Sequence, residues 1–271
     1  MIFRRNKKQR SEPETVETDD LTATDDVDDD ALADDDPAEG EAADDSPEES
    51  PEDELTRLDE LEWRDDGPWD INEIDDLEST EGRPRIDLGS IVLTGVPGSE
   101  LRLQVAEETN QIISAMLVIE TIVVADGAGP ESYSSALELG AYAAPRSGGL
   151  WAELRDDISA SAAAEGGSAS MAEGPFGVEL RRLMPVTTPD GEQGYQPSRM
   201  WVAEGPRWLL RGIVYGQAAV EEDLESPVVA EVLDAFRQVV VRRGDEAMAP
   251  GDLLPLTMPT NATAEADESE S

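Results

Sequence analysis

The side chains left for chemistry in this 271-residue chain are few in kind. It has no histidine and no cysteine, and its lysines are Lys7 and Lys8 alone. Imidazole bases, thiolate nucleophiles and thiolate metal ligands are therefore excluded, and so is a Schiff-base or phosphate-loop lysine anywhere past residue 8. Carboxylates, hydroxyls, tyrosines and arginines remain. The chemistry they allow is acid–base work by carboxylates, with or without a divalent ion, and Asp87, Glu173 and Glu179 are the first candidates for it. Asp156 and Asp157 are adjacent on an expected helix, so they point about 100 degrees apart and read as a wet face rather than a metal site. Arg207 and Arg211 share a face of one expected strand. Glu179 and Arg181 on a neighbouring strand are the expected company of those two arginines, in structural ion pairs. A phosphate clamp would want a glycine-rich loop or helix N-terminus beside them, and none is near in sequence.

These residues do not add up to an active site. The sequence predicts no catalytic residue, no metal ligand and no cofactor site. A non-catalytic binding or regulatory module is favoured over a carboxylate enzyme.

The element that must position most of these groups is Glu204–Gly216. It carries the densest aromatic and apolar content of the chain between a Gly-Pro turn and a glycine. Alternation puts Trp208, Leu210, Gly212 and Val214 on one face and Arg207, Leu209, Arg211, Ile213 and Tyr215 on the other, as in a central strand covered on both sides. Around it, Val178–Pro185 and Tyr195–Val202 flank the turn Thr188-Pro189-Asp190-Gly191 and complete an antiparallel meander. Ahead of these come a hairpin with strands near Ile86–Val92 and Leu101–Val105, a long apolar strand over Ile112–Val124, a loop over Asp126–Ser132 and a strand through Leu137–Ala143. Ser114 and Glu120 interrupt the long run, which is too short for a membrane span.

Two helices are expected. One follows Pro145–Gly149, with Leu150, Trp151, Leu154 and Ile158 as its apolar stripe and Glu153, Arg155, Asp156 and Asp157 opposite. The other begins at Ser226-Pro227, a capping serine with proline at the first helical position, and buries Val228, Val229, Val232, Leu233 and Phe236. A last strand is read at Val239–Val241. The order predicts an α+β fold: one domain over residues 63–259, mainly antiparallel sheet, with two principal helices packed on it.

Charge sets the rest apart. The formal net charge is −43, and 33 of the 63 acidic residues fall within the first 82 positions. Residues 1–62 read as a basic leader and a disordered acidic tail, because residues 11–54 hold too little apolar surface to offset the entropy of ordering. Residues 260–271 read as a disordered acidic C-terminus. Within the leader, Arg4, Arg5, Lys7 and Lys8 could make weak contact with an anionic surface. There is no strong nucleic-acid signal, although a long acidic tract could mimic nucleic acid toward a basic partner. Leu55, Leu58, Leu61 and Trp63 recur near helical spacing in Glu54–Arg64, an amphipathic segment that docks either in another protein's groove or on its own domain. A protein partner, met through the tail or the sheet surface, and a cytoplasmic location are the expectation.

Several blocks resemble one family. Gly67-Pro68-Trp69-Asp70, Pro84–Ser90, Ala143-Ala144-Pro145-Arg146, Glu173–Gly177, Gly205–Gly212 and Arg243–Pro250 are similar to the actinobacterial family known as domain of unknown function 3710. The resemblance spans about residues 63–259 and implies a cytoplasmic bacterial protein with a basic leader and a variable acidic tail. It implies no activity, cofactor or catalytic residue. Thr121–Ser135 is longer than the family pattern, as a lengthened hairpin would be.

Overall fold

The computed structural model describes residues 50–259 apart from 76, 78, 81, 125, 126 and 128. The basic leader, all but the end of the acidic tail, and residues 260–271 lie outside the described residues, and with them the expectations of disorder and of surface contact by Arg4, Arg5, Lys7 and Lys8.

In chain order the elements are α1 (Pro51–Glu60), β1 (Trp69–Asp70), a 3-10 turn (Ile71–Glu73), β2 (Ser79–Thr80), β3 (Arg83–Asp87), β4 (Ile91–Thr94), β5 (Glu100–Ala106), β6 (Gln111–Val124) and β7 (Pro130–Ala143). Then follow α2 (Leu150–Ala164), β8 (Ser168–Gly174), β9 (Gly177–Thr187), β10 (Gln193–Gly205), β11 (Trp208–Gly216), α3 (Gln217–Val220), α4 (Pro227–Arg237) and β12 (Val240–Val241). The class is α+β with mainly antiparallel sheet. Two sheets form where one was expected: a seven-stranded antiparallel sheet ordered β5-β6-β7-β11-β10-β9-β8, and a small one ordered β1-β12-β4-β3-β2 in which β1 and β12 run parallel.

The expected central ribbon is β11, fourth of the seven strands. Its inner face carries Trp208, Leu210 and Val214, none with any exposed surface. A Cβ on Gly212 would sit 2.6 Å from the Phe236 ring, so the bare glycine is what lets that side chain of α4 reach the sheet. Phe236 in turn meets Phe176 and Trp201 at ring-centroid distances of 4.8 and 6.0 Å, a tilted aromatic cluster at the centre of the main core. Val228, Val229, Val232 and Leu233 bury the expected stripe of α4, and Ser226 caps it through Val229 N at 3.4 Å. The outer face of the same sheet has a smaller core under α2, built from Leu150, Trp151, Leu180, Met200, Val202, Leu209 and Ile213.

Some expectations change. Ile86–Val92 is not one strand, because Asp87 Oδ1 accepts from Gly89 N at 2.8 Å and Gly89 takes φ +84°, turning the chain between β3 and β4. The turn at Val96–Ser99 then carries the chain from the small sheet to the large one, so its two flanking strands do not pair. Ser168–Gly174 forms an edge strand, β8, that the sequence did not announce. Pro130, Glu131 and Ser132 belong to β7 rather than to a loop, which makes β6–β7 a hairpin of two 14-residue strands. Arg155 is buried at 8% exposure, not on the wet side of its helix, whereas Asp156 and Asp157 are exposed as expected.

Candidate functional site

The amphipathic N-terminal segment docks on its own domain. Ser50 caps α1 by accepting from Asp53 N at 3.2 Å, the Asp53 carboxylate accepts from Ser50 N in return, and Pro51 and three acids fill the first turn. One side of the helix is then laid against β9. Leu58 is 1% exposed, while Leu61 stays 45% exposed beyond the helix end. Trp63 folds back and donates its Nε1–H to Leu58 O at 2.8 Å, satisfying a carbonyl of the last turn. The ring has room because residue 177 is a glycine: a Cβ there would lie 2.9 Å from Trp63 Nε1, and its φ of +83° suits glycine besides.

Charge fixes the same segment. Arg155 on α2 presents both terminal nitrogens to Asp59, at 2.6 and 2.7 Å, a planar fork on a carboxylate. Further along, Arg64 clasps Glu73 at 2.6 and 2.8 Å, donates to Pro68 O and lies 5.3 Å over the Trp208 ring. Asp70 accepts from Trp208 Nε1 at 2.7 Å, so the chain from residue 58 to 73 is strapped to the start of β11. Arg64 holds the Glu73 carboxyl below its usual range, chiefly through the hydrogen bonds themselves.

Between this strap and α2 lies a groove of about 400 Å³, walled by Trp63, Trp151, Phe176 and Val178 with Asp59 and Glu204 at its polar margin. Glu204 has a second task. Gly149 has no side chain to cap α2, and the Glu204 carboxylate reaches over from β10 to accept from Gly149 N at 2.6 Å and Trp151 N at 2.7 Å. On the other side of Trp63 a wider cleft of about 600 Å³ has Glu62, Asp65, Asp66, Glu173 and Glu225 on its rim against a single Arg237.

The three candidate carboxylates are not brought together. Asp87 sits in the small sheet, held by Arg242 at 2.9 and 3.0 Å, and that guanidinium lowers its pKa. Glu173 stands opposite Val178 and Glu179 opposite Ala172, so the two fall on opposite faces of the β8–β9 ladder. Glu179 is 1% exposed and receives Arg199, Arg181 and the Trp201 indole. Among the described residues no group of three or more carboxylates is placed to hold a metal ion.

The arginine pairing is also corrected. Glu179 and Arg181 do not meet Arg207 or Arg211, because β10 lies between β9 and β11 and its inward Arg199 reaches Glu179 first. Arg207 is in the turn before β11 with φ +65°. Arg211 faces the other side of the sheet, 5.1 Å over the Tyr142 ring. Arg155 and Arg182 are the functional candidates that sequence reasoning passed over. Alternation from Glu179 and Arg181 places Arg182 on the opposite face, a signal that was available.

Fold and groove together define an α+β protein of two sheets in which α1 forms one wall of an aromatic-lined cleft. A family model, protein of unknown function DUF3710, matches residues 67–265, and the chain belongs to that family. No curated protein and no solved structure matches it. α1 and Trp63 lie ahead of the matched region. Among the described residues no helix is long and apolar enough to cross a membrane.

Proposed function

We propose that this protein is a non-catalytic, cytoplasmic binding or regulatory module, and that the seat on β9 and α2 beside the groove takes an acidic amphipathic helix which the chain itself supplies in α1. The observation that carries the reading is the seat of Leu58 and Asp59. A leucine with 1% exposure and, one residue on, a carboxylate held at two points by a buried arginine together form an anchor and a charge key on one helix. The helix so held lies ahead of the residues that the family model matches, whereas Arg155 and β9, which hold it, lie within them. A partner helix with the same Leu-acid pair competes with α1 for the seat. Docking in cis at high effective concentration sets the threshold that such a partner must exceed.

The test uses the full chain and a fluorescent peptide of residues 50–64. Leu58→Asp undocks α1, since a carboxylate cannot take the apolar seat without a large desolvation cost. The labelled peptide is expected to bind that variant at least tenfold more tightly than it binds the wild-type chain, as read by anisotropy. Amide exchange reports whether α1 has been released. Release without any gain in peptide binding overturns the reading.

A further inference from the structure

The outer face of the large sheet holds a second polar cluster, which shares no residue with the groove. Arg182 stands on β9, Arg211 and Tyr215 on β11, and Glu138 and Tyr142 on β7. Strand register brings them together. Arg182 pairs with Ser198, Tyr215 with Ala136, Ile213 with Glu138, and Arg211 with Gly140. Gly140 makes the cradle, for a Cβ there would lie 3.2 Å from the Tyr142 hydroxyl, so the Tyr142 ring lies back over the glycine and Arg211 stacks on it.

The cluster is short of acceptors. Arg182 Nε and Arg211 Nε are both shielded from solvent, and neither has a hydrogen-bond partner among the described residues. Arg182 meets hydroxyls alone, the Ser198 hydroxyl with Nη2 at 3.3 Å and that of Tyr215. The one carboxylate nearby, Glu138, accepts from the Tyr215 hydroxyl at 3.2 Å. Elsewhere on this face Arg102 forks onto Glu100 at 2.8 and 2.9 Å, and Glu120 accepts from the Ser132 hydroxyl. Two guanidinium groups against one carboxylate leave an excess positive charge on a chain whose net charge is −43. Burial, ahead of any other influence, pulls the Arg182 pKa down and pushes those of Tyr142 and Tyr215 up. Desolvated cations with unused donors are costly unless something answers them.

We propose that Arg182 and Arg211 form a binding site for the oxyanion head of a small molecule, a phosphate or a carboxylate. Both guanidinium groups offer planar donor forks of the shape such heads accept.

The test is a titration of the full-length protein, labelled with ¹⁵N at arginine, with inorganic phosphate and separately with acetate, against chloride at matched ionic strength. The expected result is that the Nε–H signals of Arg182 and Arg211 move saturably with one of the two oxyanions and not with chloride, and the oxyanion that saturates them names the head group. Arg211→Met and Arg182→Met should each weaken that binding at least tenfold, while Arg102→Met leaves it unchanged. Each of the two cluster variants should also keep the wild-type melting temperature or exceed it, because an unanswered cation has been removed. The proposal is overturned if the wild-type signals follow ionic strength alone. It is overturned equally if both cluster variants melt lower and the wild-type melting point ignores both oxyanions, since the arginines would then be structural. Should a methionine variant fail to fold, Arg211→Lys, which keeps the charge and loses the fork, takes its place: binding weakened at least tenfold supports the site, and binding at wild-type strength overturns it.

Discussion

Replacing Glu179 with glutamine tests how much of the core depends on one buried charge pair. Arg199 and Glu179 are 2% and 1% exposed. The two carboxylate oxygens receive Arg181 Nε at 2.9 Å, Arg199 Nε at 3.0 and 3.1 Å, Arg199 Nη2 at 3.0 Å and Trp201 Nε1 at 2.8 Å. Glutamine keeps the shape but turns one acceptor into a donor facing donors, and it leaves Arg199 without a counter-charge. Breaking a pair of this kind costs about 3–5 kcal/mol. Against a typical total of about 5–15 kcal/mol that is a large share, and at about 2–4 °C per kcal/mol it lowers the melting temperature by roughly 6–20 °C. Urea denaturation at neutral pH measures it directly, and the indole Nε1–H resonance of Trp201, which donates to Glu179, shows whether the aromatic cluster loosens as well. Adding Arg199→Met to the same chain removes the stranded cation, so the double variant should recover part of the loss. A Glu179→Gln protein within about 1 kcal/mol of wild type would refute the reasoning, because so small a cost is what an exposed pair gives.

Two further outcomes are expected. Gly212→Ala pushes a methyl into the Phe236 ring and should cost about 1–3 kcal/mol by overpacking; a chemical melt that matches wild type would mean that α4 shifts freely. Glu73 and Asp87 have pKa values lowered by Arg64 and Arg242, from ordinary values of 4.5 and 3.8, so each contributes stability that is present above the ordinary value and lost as pH falls through the lowered one. Glu73→Gln should therefore narrow the gap between melts at neutral pH and at acid pH, and an unchanged gap would remove Glu73 from the account.

What the sequence disclosed depended on whether the signal was local. β11 was legible because its apolar residues alternate between two turns, and α4 because Ser226 and Pro227 mark its start and a 3.6-residue stripe follows. β8 was not, since Ser168–Gly174 is small and polar and becomes a strand only by pairing along Val178–Leu183. Arg155 read as a solvent-facing charge because its partner Asp59 is 96 residues away. Glu179 was given the wrong arginine for a related reason. Which arginine it meets depends on the register of two successive hairpins, and a register set by long-range packing is not written in either strand alone.

The two proposed sites share a geometric cause. A helix with its side chains is about 10 Å across and strands stand about 4.8 Å apart. α2 runs along β9, from Val178, whose carbonyl accepts from Trp151 Nε1, to Leu183, whose carbonyl lies against Gly167, so its width rather than its length sets how many strands it covers. α2 packs on β8, β9 and β10, and its apolar cluster reaches Leu209 and Ile213 of β11, with Tyr142 and Tyr215 packed at its margin. Arg211 stands half-buried beside those two rings. α2 begins on Gly149, which cannot cap itself, so Glu204 is drawn across and the groove opens beside it. A second helix beside α2 would cover the cation cluster, and a capping side chain at position 149 would release Glu204. A single helix leaves both edges of its footprint chemically unfinished, one toward an anion and one toward a helix.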